Sequence, residues 1–185
     1  LYNIGEDANL RLTDSSLVDN YTTGSAPDGG IGGGILNYGG YVSLSNCTIS
    51  LNEGRQGGGI VNDGIDPYYG LVSIVNCTIA DNLSDEPMGA GIYSKGHGRV
   101  TLKNTILDLN DDCYAAIPDA EIKSHGHNIG NSSCNLTTHS DLVGIDPLIG
   151  MLGDNGGPTH TMALSYNSPA IDAGDDSACP DEDQR

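Results

Sequence analysis

Apolar and polar residues alternate in four short stretches of this chain, and the four superpose with fixed internal spacing. Leu10–Asn20, Val42–Asn52, Val72–Asn82 and Val100–Asn110 align residue for residue. Their closing asparagines, Asn20, Asn52, Asn82 and Asn110, follow one another after 32, 30 and 28 residues. A period near 30 that drifts, over units whose inner spacing does not, marks a coil with variable loops and constant walls. One apolar column holds Leu10, Val42, Val72 and Val100, and a second holds Leu12, Leu44, Ile74 and Leu102. Leu17, Ile49, Ile79 and Leu107 form a third, and Leu1, Ile35, Ile60 and Ile92 recur upstream in each unit. Alternation with a period of two predicts strands with one buried face. It breaks at Asp14, Asn46, Asn76 and Asn104. These polar residues tolerate the left-handed conformation that turns the chain into the next strand.

Strands this short cannot each bury a face alone. Stacked units bury every column at once, with parallel strands about 4.8 Å apart supplying the backbone hydrogen bonds. The pattern predicts an all-β chain, a right-handed parallel β-helix (a solenoid) of about five or six coils with an irregular C-terminal cap. Regular coils are expected over residues 1–112, an irregular excursion and last coil over 113–139, and a cap over 140–185, all in one domain. The asparagines Asn20, Asn52, Asn82 and Asn110 are expected to stack as a side-chain ladder at a corner, not to bind a ligand. Glycine runs such as Gly57–Gly59 fall where tight corners need close backbone approach. They lack the strand–loop–helix context and GxxxxGK[ST] spacing of a phosphate loop.

Charge and cysteine content narrow the partners. Twenty-five acidic residues stand against seven basic ones, a net charge of −18. Nothing of that balance suits phosphate backbones, so nucleic acid is excluded as a partner. No stretch is long and apolar enough to span a bilayer as a helix. Five cysteines in a Gly-, Asn- and Thr-rich chain point to an oxidising compartment. Cys113 and Cys134 flank the excursion and are the better disulfide candidates. Cys47 and Cys77 share an inward column with Ser15 and Thr105, where either a disulfide or a reduced stack fits. Cys179 is left over. The chain opens inside a repeat at Leu1 and stops at Arg185, as expected of a piece of something longer.

The repeat units Gly-Gly-Gly-Ile-x-Asn and Asn-Cys-Thr-Ile-x-x-Asn resemble those of bacterial right-handed β-helix surface proteins with a choice-of-anchor Q domain. The tail carries the more specific motifs, at Asp146–Gly150, Leu152–Thr161, Asn167–Gly174 and Cys179–Arg185. The resemblance implies an exported protein at the cell surface and brings no catalytic residues with it.

Other β-helices cut acidic polysaccharides, so an enzyme must be weighed. Gly96-His97-Gly98 and Asn110-Asp111-Asp112 look like pieces of a polygalacturonase site, but their order along the chain is reversed. His97 reads as a corner residue and Asp111 and Asp112 as loop acids. His125 and His127, on a shared strand face, would make a metal pair only with a third ligand. His160 follows a cap turn. Arg55, the basic residue a lyase would need, faces no evident acid cluster, and Arg11 and Arg99 read as equivalent surface positions. Asp172, Asp175 and Asp176, with Asp181, Glu182 and Asp183, are the weak candidates for a structural calcium; a solvated acidic tail is the plainer reading. No cofactor is expected otherwise. Tyr38, Tyr41, Tyr68, Tyr69 and Tyr93 fall at related corners, where a sugar platform or mutual packing is expected.

The function expected is therefore non-catalytic: an extracellular, cell-surface structural or adhesive module, with its uncapped first coil free for head-to-tail self-stacking. The alternative is a module that binds or cleaves an extracellular or matrix polysaccharide. A lateral groove lined by convergent acids favours the alternative, and a flat flank of Ser, Thr and Asn favours the structural reading.

Overall fold

A computed structural model describes residues 1–23, 30–108, 113–116, 118–180 and 184. Three parallel sheets run along the molecule. The first contains β1 (Tyr2–Ile4), β4 (Ile35–Tyr38), β8 (Ile60–Gly64), β12 (Ile92–Gly96) and β15 (Cys113–Ala115). The second contains β2 (Asn9–Thr13), β5 (Tyr41–Ser45), β9 (Gly70–Val75), β13 (Gly98–Lys103) and β16 (Glu121–Ser124). The third contains β3 (Ser16–Val18), β6 (Thr48–Ser50), β10 (Thr78–Ala80), β14 (Ile106–Leu107), β17 (Ile129–Gly130) and β18 (Leu142–Val143). A two-stranded pair, β7 (Glu53–Gly54) and β11 (Leu83–Ser84), marks a further corner. Among the described residues there is no α-helix, only two 3-10 turns at Ser132–Cys134 and Asp176–Ala178.

The predicted columns are the observed registers. Leu12 stacks on Leu44, Leu44 on Ile74 and Ile74 on Leu102. Leu17, Ile49, Ile79 and Leu107 follow one another likewise. These rows fill one continuous interior, together with Ile35, Ile60 and Ile92. The corners Asp14, Asn46, Asn76 and Asn104 all take positive φ, between 49° and 54°. A second corner row, Asp19, Leu51 and Asp81, is also left-handed, with Leu51 at φ 58°. At Gly33 and Gly58 the coils approach so closely that an added Cβ would lie 2.7 Å from backbone atoms of Glu53 and Asn52 respectively, which explains the glycine runs.

The number of turns is smaller than the five or six expected. About three turns, residues 30–108, are complete, with interior rows essentially sealed from solvent. In the first rung Leu10, Leu12 and Leu17 are only half-buried, because no row stacks on their upstream side. In the last rung the strands shorten to two to four residues. The stretch after Cys113 is less irregular than expected, since β15, β16 and β17 each extend one of the three sheets.

The tail departs furthest from expectation. The downstream end is closed by residues 131–141: Cys134, bonded to Cys113, and Leu136 lie inside the core. From residue 144 the chain turns back along the outside of the third sheet. Its hairpin, β19 (Ile149–Gly153) and β20 (Thr161–Leu164), is antiparallel. This is a strap on a flank, not a cap on an end. The Ser16 hydroxyl donates to the His160 carbonyl at 2.7 Å, and Gln184 reaches Thr48 at 3.0 Å and the Ser15 carbonyl at 3.2 Å.

Candidate functional site

Side-chain amides stack in three rows. In the predicted ladder, Asn20 Nδ2 donates to Asn52 Oδ1 at 2.8 Å, and Asn52 Nδ2 to Asn82 Oδ1 at 2.9 Å. The same oxygens accept the backbone N–H of the asparagine one coil upstream, at 3.2 and 3.1 Å. Asn52 is fully buried and Asn82 nearly so. Asn110 lies outside the described residues. A second row, Asn3 to Asn37 to Asn62, carries amide bonds of 2.8 Å at both steps, with Asn37 and Asn62 fully buried. The sequence reading missed it, although the signal is present: an Asn follows two residues after Leu1, Ile35 and Ile60. The third row joins the corners: Asn46 donates to Asp14 and Asn104 to Asn76, each at 3.0 Å.

The strap is anchored on that third row. Asn104 donates to the Asp175 carbonyl at 3.1 Å and accepts the Asp175 N–H at 3.0 Å, while Asn76 donates to the Ala178 carbonyl at 2.7 Å. Lys103 Nζ sits 2.8 Å from Asp175 Oδ2. That ammonium, with the Ser177 hydroxyl and N–H, holds the Asp175 carboxyl well below the usual carboxylate range. Asp175 is thus a strap anchor. Asp172 and Asp176 stand exposed on either side, and no group of three or more metal-ligating side chains is assembled among the described residues. Asp181, Glu182 and Asp183 lie outside those residues.

The downstream plug has a hub that the sequence reading also missed. Asp141 Oδ2 accepts from Ser124 Oγ at 2.7 Å, Thr138 Oγ1 at 2.6 Å and Thr138 N at 2.9 Å. Its Oδ1 accepts from Asn128 N and Nδ2 at 3.0 and 3.1 Å. Burial acts to raise the pKa of this carboxyl, but the donated hydrogen bonds outweigh it and bring it below 3.8.

Among the described residues His97 and Arg99 line one depression with Asp119 and Glu121, and the other candidate groups lie elsewhere. His97 packs against Tyr69, ring centroids 5.6 Å apart, with its N–H held by the Gly64 carbonyl. Asp111 and Asp112 lie outside the described residues. His125 and His127 do not share a strand face: β16 ends at Ser124, and His127 turns with φ 59° and bonds Ala173 O at 2.8 Å through Nδ1. Arg55 does meet an acid, Glu86, in an ion pair. Arg11 and Arg99 share a flank but not a row, since Arg11 aligns with Ser43, Ser73, Thr101 and Lys123. Ser43, Ser73 and Thr101 form a short Ser/Thr stretch in that row between Arg11 and Lys123. The tyrosines form no single platform: Tyr93 is buried, and Tyr69 packs under Arg99. Cys47 and Cys77 are free and stacked, with the Cys47 N–H 3.4 Å from Cys77 Sγ. Hydrogen bonding to Cys77 draws the Cys47 thiol down to about 7, and burial pushes Cys77 up.

No protein-family model, no curated protein and no solved structure matches the chain.

Proposed function

We propose that this chain is a non-catalytic structural and adhesive module of an exported cell-surface protein, wound as a right-handed β-helix. The observation that carries this reading is the run of buried amide ladders through the coils, Asn20–Asn52–Asn82 and Asn3–Asn37–Asn62. Such rows stiffen a rod from within. The strap supports the reading too. The motifs that resemble the choice-of-anchor Q region, Asp146–Gly150, Leu152–Thr161 and Asn167–Gly174, contribute to its hairpin and to its contact with His127 through Ala173. They serve the fold rather than a reaction.

We include head-to-tail self-stacking in this proposal: β1, β2 and β3 are the edge strands of the three sheets, and a second copy can pair with them. Light scattering with electron microscopy of the native material tests it; end-to-end assemblies agree with it, and single modules alone overturn it. Release of reducing or unsaturated ends from an acidic polysaccharide would overturn the non-catalytic reading.

A further inference from the structure

The flank of the second sheet carries one feature that neither the coil nor the strap uses. A depression of about 400 Å³ opens between the loop before β9 and the turn before β16, lined by Tyr69, His97, Arg99, Asp119 and Glu121. Its parts sit on firm backbone. Arg99 lies within β13, Tyr69 directly precedes β9, and His97 fills the tight corner between β12 and β13. The Arg99 guanidinium lies 4.4 Å over the Tyr69 ring. Stacking fixes its plane and leaves its N–H edges free. The other described basic side chains that meet acids do so elsewhere: Arg55 with Glu86, Lys95 with Asp63 and Lys103 with Asp175. Arg99 makes no such pair among the described residues, although Glu121 is its register partner on the next strand. The two stand on neighbouring strands about 4.8 Å apart, make no ion pair with each other, and both line the depression.

Charge decides what fits there. A purely anionic ligand meets two carboxylates and the field of a chain with net charge −18, so it is repelled. A purely cationic ligand leaves Arg99 unanswered. A ligand with both charges close together satisfies the pair, and an apolar side chain can lie on the exposed part of Tyr69. We propose that the Tyr69–Arg99–Glu121 depression is a binding site for a small zwitterion, an α-amino acid with an apolar side chain. Its carboxylate meets Arg99, and its ammonium meets Glu121 and Asp119.

Titration calorimetry with L-leucine and L-phenylalanine tests the site, alongside the N-acetylated acids and the amino-acid amides. Saturable binding by the free amino acids is expected, with at least about ten-fold weakening for either blocked form. Arg99→Gln and Glu121→Gln should each weaken binding by a similar factor. Arg11→Gln, in a different row of the same flank, should not. No saturation by the free amino acids up to about 10 mM, or blocked forms that bind equally well, overturns the proposal. So does Arg99→Gln binding at full strength.

Discussion

The coil stack and the strap are held by hydrogen bonds of opposite kinds. In the stack each bond repeats one coil later, so Asn52 receives from Asn20 what it gives to Asn82. In the strap each bond occurs once: Asn104 with Asp175, Asn76 with Ala178, His127 with Ala173, Gln184 with Thr48. The stack therefore gains from every neighbour in a row and loses cooperatively when one is removed. The strap is a series of separate anchors on a finished surface, so its loss leaves the stack standing.

The largest expected effect lies inside the stack. Asn52→Ala removes the acceptor for Asn20 and the donor to Asn82 and Leu17 in a fully sealed corner. We expect a loss of about 3 kcal/mol in urea unfolding. A change below about 0.5 kcal/mol would mean the ladder is ornamental. Asp141→Asn comes next, because an amide nitrogen cannot replace the carboxylate oxygens that Ser124, Thr138 and Asn128 address. A cost of about 2 kcal/mol is expected, read as a lowered melting temperature. The pH dependence has a definite sign. The folded Asp141 carboxyl titrates below its unfolded value of 3.8. Its stabilisation is therefore present above about pH 4 and fades as pH falls through the lower folded value. The Asn variant should lack that acid-side loss, and an unchanged acid profile would show that the hub lies elsewhere.

Leu51→Asn probes the stack in the other direction. Leu51 holds φ 58° with its side chain about half in solvent, in a row otherwise filled by Asp19 and Asp81. Asparagine tolerates that conformation, so a gain of about 1 kcal/mol is expected in the same unfolding assay. A loss would show that Leu51 is packed, not strained. The smallest effect on global stability should come from Asp175→Ala, which removes the Lys103 ion pair and the Ser177 cap from the strap while leaving the corner Asn104 in place. Limited proteolysis within residues 165–180 should accelerate while hydrogen-exchange protection of β9 and β13 stays as it was. Joint loss of both would make strap and stack a single unit.

Legibility followed the same division. The interior columns and the corner asparagines were readable because repetition supplies several copies of one constraint, and the Cys113–Cys134 bond because the two cysteines flank one excursion. The Asn3–Asn37–Asn62 row was equally repetitive and equally readable, from the shared spacing after Leu1, Ile35 and Ile60. The coil number was overestimated because the apolar pattern counts units, not whether both faces of a unit are covered. The Asp141 hub gave no periodic signal. Its partners come from three segments, around Ser124, Asn128 and Thr138, that only the fold brings to one carboxylate.

By itself the sequence determined that strands of period two would stack in parallel, which side chains would face inward, and where the corners would fall. Each of those is a local preference multiplied by repetition, so the chain has no second way to satisfy it. Only the tertiary structure decided that residues from 144 onward run back over a flank, that residues 131–141 close one end, and that Arg99, Tyr69 and Glu121 meet around a depression. Those outcomes depend on single contacts between residues far apart in the chain, and no periodic pattern records them.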